Sequence, residues 1–180
     1  MTTDTAAVRN PGTRETAGEI LQASLVDLLG LAMTGKQIHW NLHGPGFRSL
    51  HLHLDEVVTA ARESADDLAE RAATLGTAPD GRAATVACGG RAVALPGGRI
   101  TVTEALAALA VHYNLLLDGM RRRIHATSDP VTQDLLISVT AALEKQHWML
   151  RAEGSSAAAA VRDTESTSPP TGTARRWRSS

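Results

Sequence analysis

Cysteine is nearly absent from this sequence: Cys88 is the single thiol in 180 residues. One thiol excludes an intrachain disulfide framework and any zinc site built from several thiolates. Aromatic residues are equally scarce, with one Phe, one Tyr and three Trp, so no base-stacking surface for nucleic acid is expected. Neither sign of charge dominates. With 18 Lys+Arg against 19 Asp+Glu, no global field draws the chain to nucleic acid or to a membrane. No apolar run approaches the roughly 18 residues that a membrane span needs. The N-terminus MTTDTAAVRNPGTRET lacks the basic-then-apolar order of a signal peptide, which makes the cytoplasm the expected compartment. No stretch reads as a convincing strand.

What is present is helical periodicity, in a chain long enough for one domain with a real core. Thr16 and Glu19 form a T-x-x-E capping box that opens a first helix. Leu21, Leu25, Leu28, Ala32 and Ile38 are its apolar row, and HGPG ends it through Gly44 and Pro45. A second helix runs from about Arg48 to Leu75, with Leu50, Leu54, Val57, Ala61, Ala65, Leu68 and Ala72 inward. Residues 77 to 99 form a connection longer than bundle loops usually are, with room for one short helix around Arg82 to Ala87. A second capping box, Thr101 and Glu104, opens the third helix, whose row is Leu106, Leu109, Tyr113, Leu116, Met120 and Ile124. Asp129-Pro130 starts the fourth, with Val131, Leu135, Val139, Ala142, Gln146 and Leu150 as its predicted inward row. The expected architecture is all-α: a four-helix bundle over residues 16–153 with a long crossover between its second and third helices. Residues 1–15 and 154–180, which are polar and Pro- and Ser-containing, are expected as disordered or extended tails.

The second helix carries the chemistry. His51 and Asp55 are four apart, as are Asp66 and Glu70. At about 100° per residue, eleven residues return to within about 20° of the same direction, so all four share one stripe. At about 1.5 Å per residue the two pairs nevertheless sit roughly 16 Å apart, too far to hold one ligand. A second copy laid antiparallel across a two-fold near residues 60 and 61 closes the gap. His51 and Asp55 of one chain then face Asp66 and Glu70 of the other, twice by symmetry. Val57, Val58, Ala61 and Ala65 offer small side chains for that approach. His39 adds a ligand from across the HGPG turn. Imidazole with several carboxylates suits iron or manganese. A site closed within one chain would need two Glu-x-x-His motifs, and Glu144-x-x-His147 is the only one. Solvated i, i+4 charges are the bland alternative for the whole stripe.

The run KQIHWNLHGPGFRSLHLHLDE followed by DDLAERAATLG resembles the signature of the Dps family of bacterial miniferritins, over about residues 17 to 152. The resemblance implies a ferritin-like bundle subunit, a ferroxidase centre shared across a dimer two-fold, and a hollow dodecamer. It implies that ferrous iron is oxidised, preferably by hydrogen peroxide, and stored as ferric mineral. Carried over by position, His39, His51 and Asp55 come from one subunit and Asp66 and Glu70 from its neighbour. Trp40 is similar to a family tryptophan beside the site, or else a core aromatic. Asp129 and Asp134 fall where relatives line a three-fold iron-access pore, although capping alone accounts for Asp129. Lys36 pairs with a site carboxylate or is a solvated helix lysine.

Other residues are expected to be structural. His43 shares a face with His39 but departs from the family pattern, which leaves at most an accessory iron contact. His53 points away from His51 and reads as an interface or surface histidine. Glu144 and His147 read as surface or interface residues, and Arg121, Arg122 and Arg123 as charges compensating a helix dipole. His112 and His125 have no assignment. DNA is a candidate partner through Arg175, Arg176, Trp177 and Arg178 in the C-terminal tail, multiplied by assembly, while Arg9 and Arg14 are offset by Asp4 and Glu15. The rival function is therefore a nucleoid-associated DNA-binding protein with weak or vestigial iron oxidation.

Overall fold

The computed structural model describes residues 15–90 and 93–166, the stretch 155–166 by its backbone alone. The basic residues of both tails, Arg9 and Arg14 and then Arg175, Arg176, Trp177 and Arg178, lie outside the described residues.

The first helix, α1 (Ala17–Asn41), begins where the sequence places it. Thr16 accepts from the Glu19 backbone and Glu19 bonds back to the Thr16 backbone, completing the capping box. Gly44 and Gly46 take φ of 96° and 80° in the turn that follows, a conformation open to glycine at no steric cost. The chain then returns as α2 (Phe47–Thr74). Its expected row from Leu50 to Ala72 is buried throughout. The crossover contains α3 (Ala83–Gly89) and is pinned to α1 at Asp80. The Asp80 backbone exchanges two 2.8 Å hydrogen bonds with the Gln22 amide, while its carboxylate takes Arg82 and Thr85. The second capping box, on Thr101, opens α4 (Val102–Ala126). Asp129 accepts from the Thr132 backbone at 2.9 Å to cap α5 (Pro130–Ser166). The backbone of α5 continues past Gly154 through the Ala157–Ala160 run, four of the strongest helix formers.

Helices α1 and α2 pack along their length, as do α4 and α5, and the two pairs close on one core. One element was not visible in the sequence. Residues Leu42–His43 (β1) and Ile100–Thr101 (β2) form a parallel two-residue bridge, Leu42 against Ile100 and His43 against Thr101. It ties the end of α1 to the start of α4, and two residues are too few to show a period. By length and composition α1 would suit a bilayer, yet 67% of the relevant window is buried inside the bundle. Its apolar character belongs to the core.

Three expectations need correction. The inward row of α5 is Leu136, Val139, Thr140, Leu143 and Leu150, while Val131 and Ala142 are exposed. Thr140 is accommodated because its hydroxyl donates to the Leu136 carbonyl at 2.6 Å. Val57, Val58, Ala61 and Ala65 do not face a partner. They are at most 4% exposed, inside this chain's own core, where Gly35 of α1 leaves room for Val58. Arg123 is not a surface charge: its side chain is 11% exposed and its guanidinium lies 2.8 Å from the Asp27 carboxylate.

Candidate metal centre

The tight turn between α1 and α2 sets the last turn of one helix against the first turn of the next. It brings His39 over His51 as a stacked pair, with ring centroids 3.7 Å apart and planes 24° from parallel. Phe47 leans on His51 at 4.9 Å. Each histidine Nδ1 lies 3.1 Å from the backbone carbonyl of the other. A carbonyl oxygen only accepts, so each Nδ1 donates. A neutral ring with its proton on Nδ1 offers Nε2 to a cation, and the carbonyl contacts hold each ring in place.

Asp55, one turn along α2, completes a cluster. Ligand atoms of His39, His51 and Asp55 all lie within 4.8 Å of one another. His39 is buried, whereas 45% of the Asp55 side chain is exposed, so the site opens to the surface. Lys36 reaches Asp55 and pairs with it directly. That hydrogen bond, together with the nearby histidines, holds the Asp55 carboxyl below its ordinary range against some desolvation. Imidazole and carboxylate donors together fit iron or manganese, and the cluster holds three of the five residues expected from the sequence, His39, His51 and Asp55.

Asp66 and Glu70 lie three to four turns further along α2, both exposed and outside the cluster. Thr59 and Arg62 occupy the intervening exposed stripe. Beside the stripe, α1 and the crossover enclose an open groove of ≈560 Å³ lined by Met33, Trp40, Val86, Val93 and Leu95 with Arg62. Trp40 is 71% exposed there and is no core aromatic.

The remaining candidates fall elsewhere. His43 sits in β1, on the side of Glu104. His53 ties α2 to α5 through Gln146 at 2.8 Å and Glu153 at 3.4 Å. Glu144 pairs with Arg121, and His147 stacks on Tyr113. Asp129 pairs with Arg71 at 2.7 Å, and with its cap to Thr132 this lowers its carboxyl to about 2. Asp134 and His125 are exposed. The sequence reading missed Phe47 as a ring support and Asp27 as a buried charge. A lone acidic residue in the apolar run SLVDLLGLA was the available signal for the second.

Comparison with known proteins agrees with this fold. Residues 18–154 match the ferritin-like domain family. The DNA protection during starvation protein of Mycolicibacterium smegmatis is 38% identical over 141 residues, covering 77% of each chain. The fine tangled pili major subunit of Haemophilus ducreyi is 36% identical over 136 residues, covering 74% of this chain and 72% of that one. The structure of Dps from Microbacterium arborescens in its high iron form superposes with a TM-score of 0.73 at 29% identity, over 81% of this chain and 96% of that one. With the bundle, the crossover and the paired histidines in place, the chain belongs to the ferritin-like superfamily and, within it, to the Dps family.

Proposed function

We propose that this protein is an iron-storage and detoxification protein: it oxidises Fe(II), preferably with hydrogen peroxide, at centres shared between two subunits. The observation that carries the reading is the locked histidine pair beside Asp55, an open set of cation donors on one chain. Three donors leave positions to fill. Asp66 and Glu70, on the same stripe of α2 but out of reach in one chain, fill them from a neighbour across a two-fold. The apolar groove beside Trp40 is the surface that neighbour covers, with the crossing near Thr59 and Arg62.

The chemistry then balances. Two ferrous ions give one electron each, hydrogen peroxide accepts both with cleavage of its O–O bond, and water supplies the remaining oxygen. Two FeOOH units form and four protons leave. Because both electrons arrive together, peroxide is consumed without releasing hydroxyl radical, which is the sense in which DNA is protected. Carboxylates lower the cost of the ferric charge, and the neutral imidazoles bind ferrous iron without adding positive charge. A dodecameric shell built from such dimers would keep the mineral in solution, in the cytoplasm, with iron admitted past Asp129 and Asp134 at three-fold pores. Contact with DNA and association with the nucleoid would rest on the C-terminal arginines.

The test is the Asp66→Ala, Glu70→Ala double substitution, mixed anaerobically with Fe(II) and peroxide. Helicity and assembled mass should be unchanged while the fast rise of ferric absorbance disappears. Metal affinity at the centre should fall at least about 10- to 100-fold, the range seen when a metal's surroundings are disturbed. An unchanged initial rate would sink the shared-centre reading.

A further inference from the structure

Far from the histidine pair, a second polar cluster lies inside the bundle. His112 of α4 is 0% exposed, and neither ring nitrogen has a hydrogen-bond partner among the described residues. Asp27 of α1 is 1% exposed, and Arg123, three turns beyond His112 on α4, sets its Nη2 2.8 Å from the Asp27 carboxylate. The other terminal nitrogen of Arg123, Nη1, is buried without an acceptor.

We propose that Asp27, His112 and Arg123 form an acid-operated release in the α1–α4 seam, in which a proton on His112 places a further positive charge in the buried interior near Asp27 and Arg123 and loosens the two helices. From α1 the acting charge is Asp27, and from α4 itself Arg123 already neutralises it. Helix α2 buries apolar side chains and carries the part-buried ring of His53, which meets Gln146 and the part-buried Glu153 of α5, and α5 also buries Thr132 and Thr140. The titratable groups beside this seam are Tyr113, and His147 of α5 stacked upon it, which has Arg121 and Arg151 for company. An imidazolium in this place would need two acceptors and a counter-charge, and burying a charge without them is costly.

Burial holds His112 below its ordinary value, and Asp27 pulls the other way with the smaller effect. The sign follows. Since the folded chain binds the proton less readily than the unfolded one, stability is complete above the ordinary histidine range and is lost as pH falls through the folded value.

The measurement is hydrogen exchange by mass spectrometry on the assembled full chain at about pH 7.5 and about pH 5, spanning the histidine range. After correction for intrinsic rates, peptides over 20–31 and 112–123 should open up to about tenfold more per pH unit, the limit for one linked proton. His112→Leu, which keeps the volume apolar, should remove that slope and leave exchange elsewhere unchanged. A seam indifferent to pH, or the same slope in His112→Leu, overturns the proposal. If His112→Leu does not fold, carbon-13 histidine labelling of the unaltered protein decides. A His112 signal that titrates as the seam peptides open supports the release, and one that titrates while they stay closed overturns it.

Discussion

Lys36 shows how one residue can restrain a candidate centre. Its ammonium pairs with Asp55, so an incoming cation must displace it or share the carboxylate. Lys36→Met should therefore raise the affinity for Co(II), a redox-inert stand-in for Fe(II), by roughly two- to fivefold, a modest factor because the pair is partly exposed. Calorimetry would measure it, and weaker Co(II) binding would mean that Lys36 orients Asp55 rather than competing for it. Asp129 allows a second test. Hydrogen bonds from Thr132 and Arg71 lower its carboxyl to about 2. Its contribution is therefore intact above the ordinary Asp value of 3.8 and lost as pH falls toward about 2. Asp129→Asn should remove that part of the acid-unfolding curve, followed by circular dichroism. Superimposable curves would show that the cap contributes nothing.

At the scale of the element, α2 is a helix with two opposed duties. One face, from Leu50 through Ala61 to Ala72, is buried in the core, and the stripe of His51, Asp55, Thr59, Arg62, Asp66 and Glu70 looks outward or lies half-buried. The two faces predict different failures for the same substitution. Ala61→Arg forces a guanidinium into the buried core, at a cost of several kcal/mol, and should lower the melting temperature sharply or prevent folding. Thr59→Arg meets only solvent in the single chain. It should keep its helicity and lose the dimer. Circular dichroism beside sedimentation separates the two, and a dimeric, well-folded Ala61→Arg protein would contradict the packing described above.

At the scale of the whole molecule, assembly and activity become one property. If each centre draws ligands from two chains, a monomer has no complete centre however well it folds. Ferroxidase rate in Thr59→Arg should track the dimer fraction and recover partly at high protein concentration by mass action. Initial rates measured across a concentration series, with the mass followed by light scattering, would check this. A strictly monomeric variant with the full rate would refute the shared centre.

The sequence by itself determined a good deal, through rules that operate within one turn or one helix. Both capping boxes, the glycine turn before α2, the buried rows of α1, α2 and α4, and the shared stripe of His51 and Asp55 all follow from the 3.6-residue period and local hydrogen bonding. What the tertiary structure decided depends on partners distant in sequence. Only the closing of the α1–α2 turn stacks His39 on His51 and gives each Nδ1 its acceptor, because each carbonyl acceptor lies twelve residues from its imidazole. The inward face of α5 was misread by part of a turn because Thr140, polar by type, bonds its own helix and so tolerates the core. Ala61 is small enough for either face of α2, and its burial to 2% exposure inside the chain's own core shows which one it takes. Arg123 looked like a surface charge at a helix end until Asp27, ninety-six residues earlier, was seen to hold it in the interior. Periodicity identifies a face, but only packing shows what that face meets.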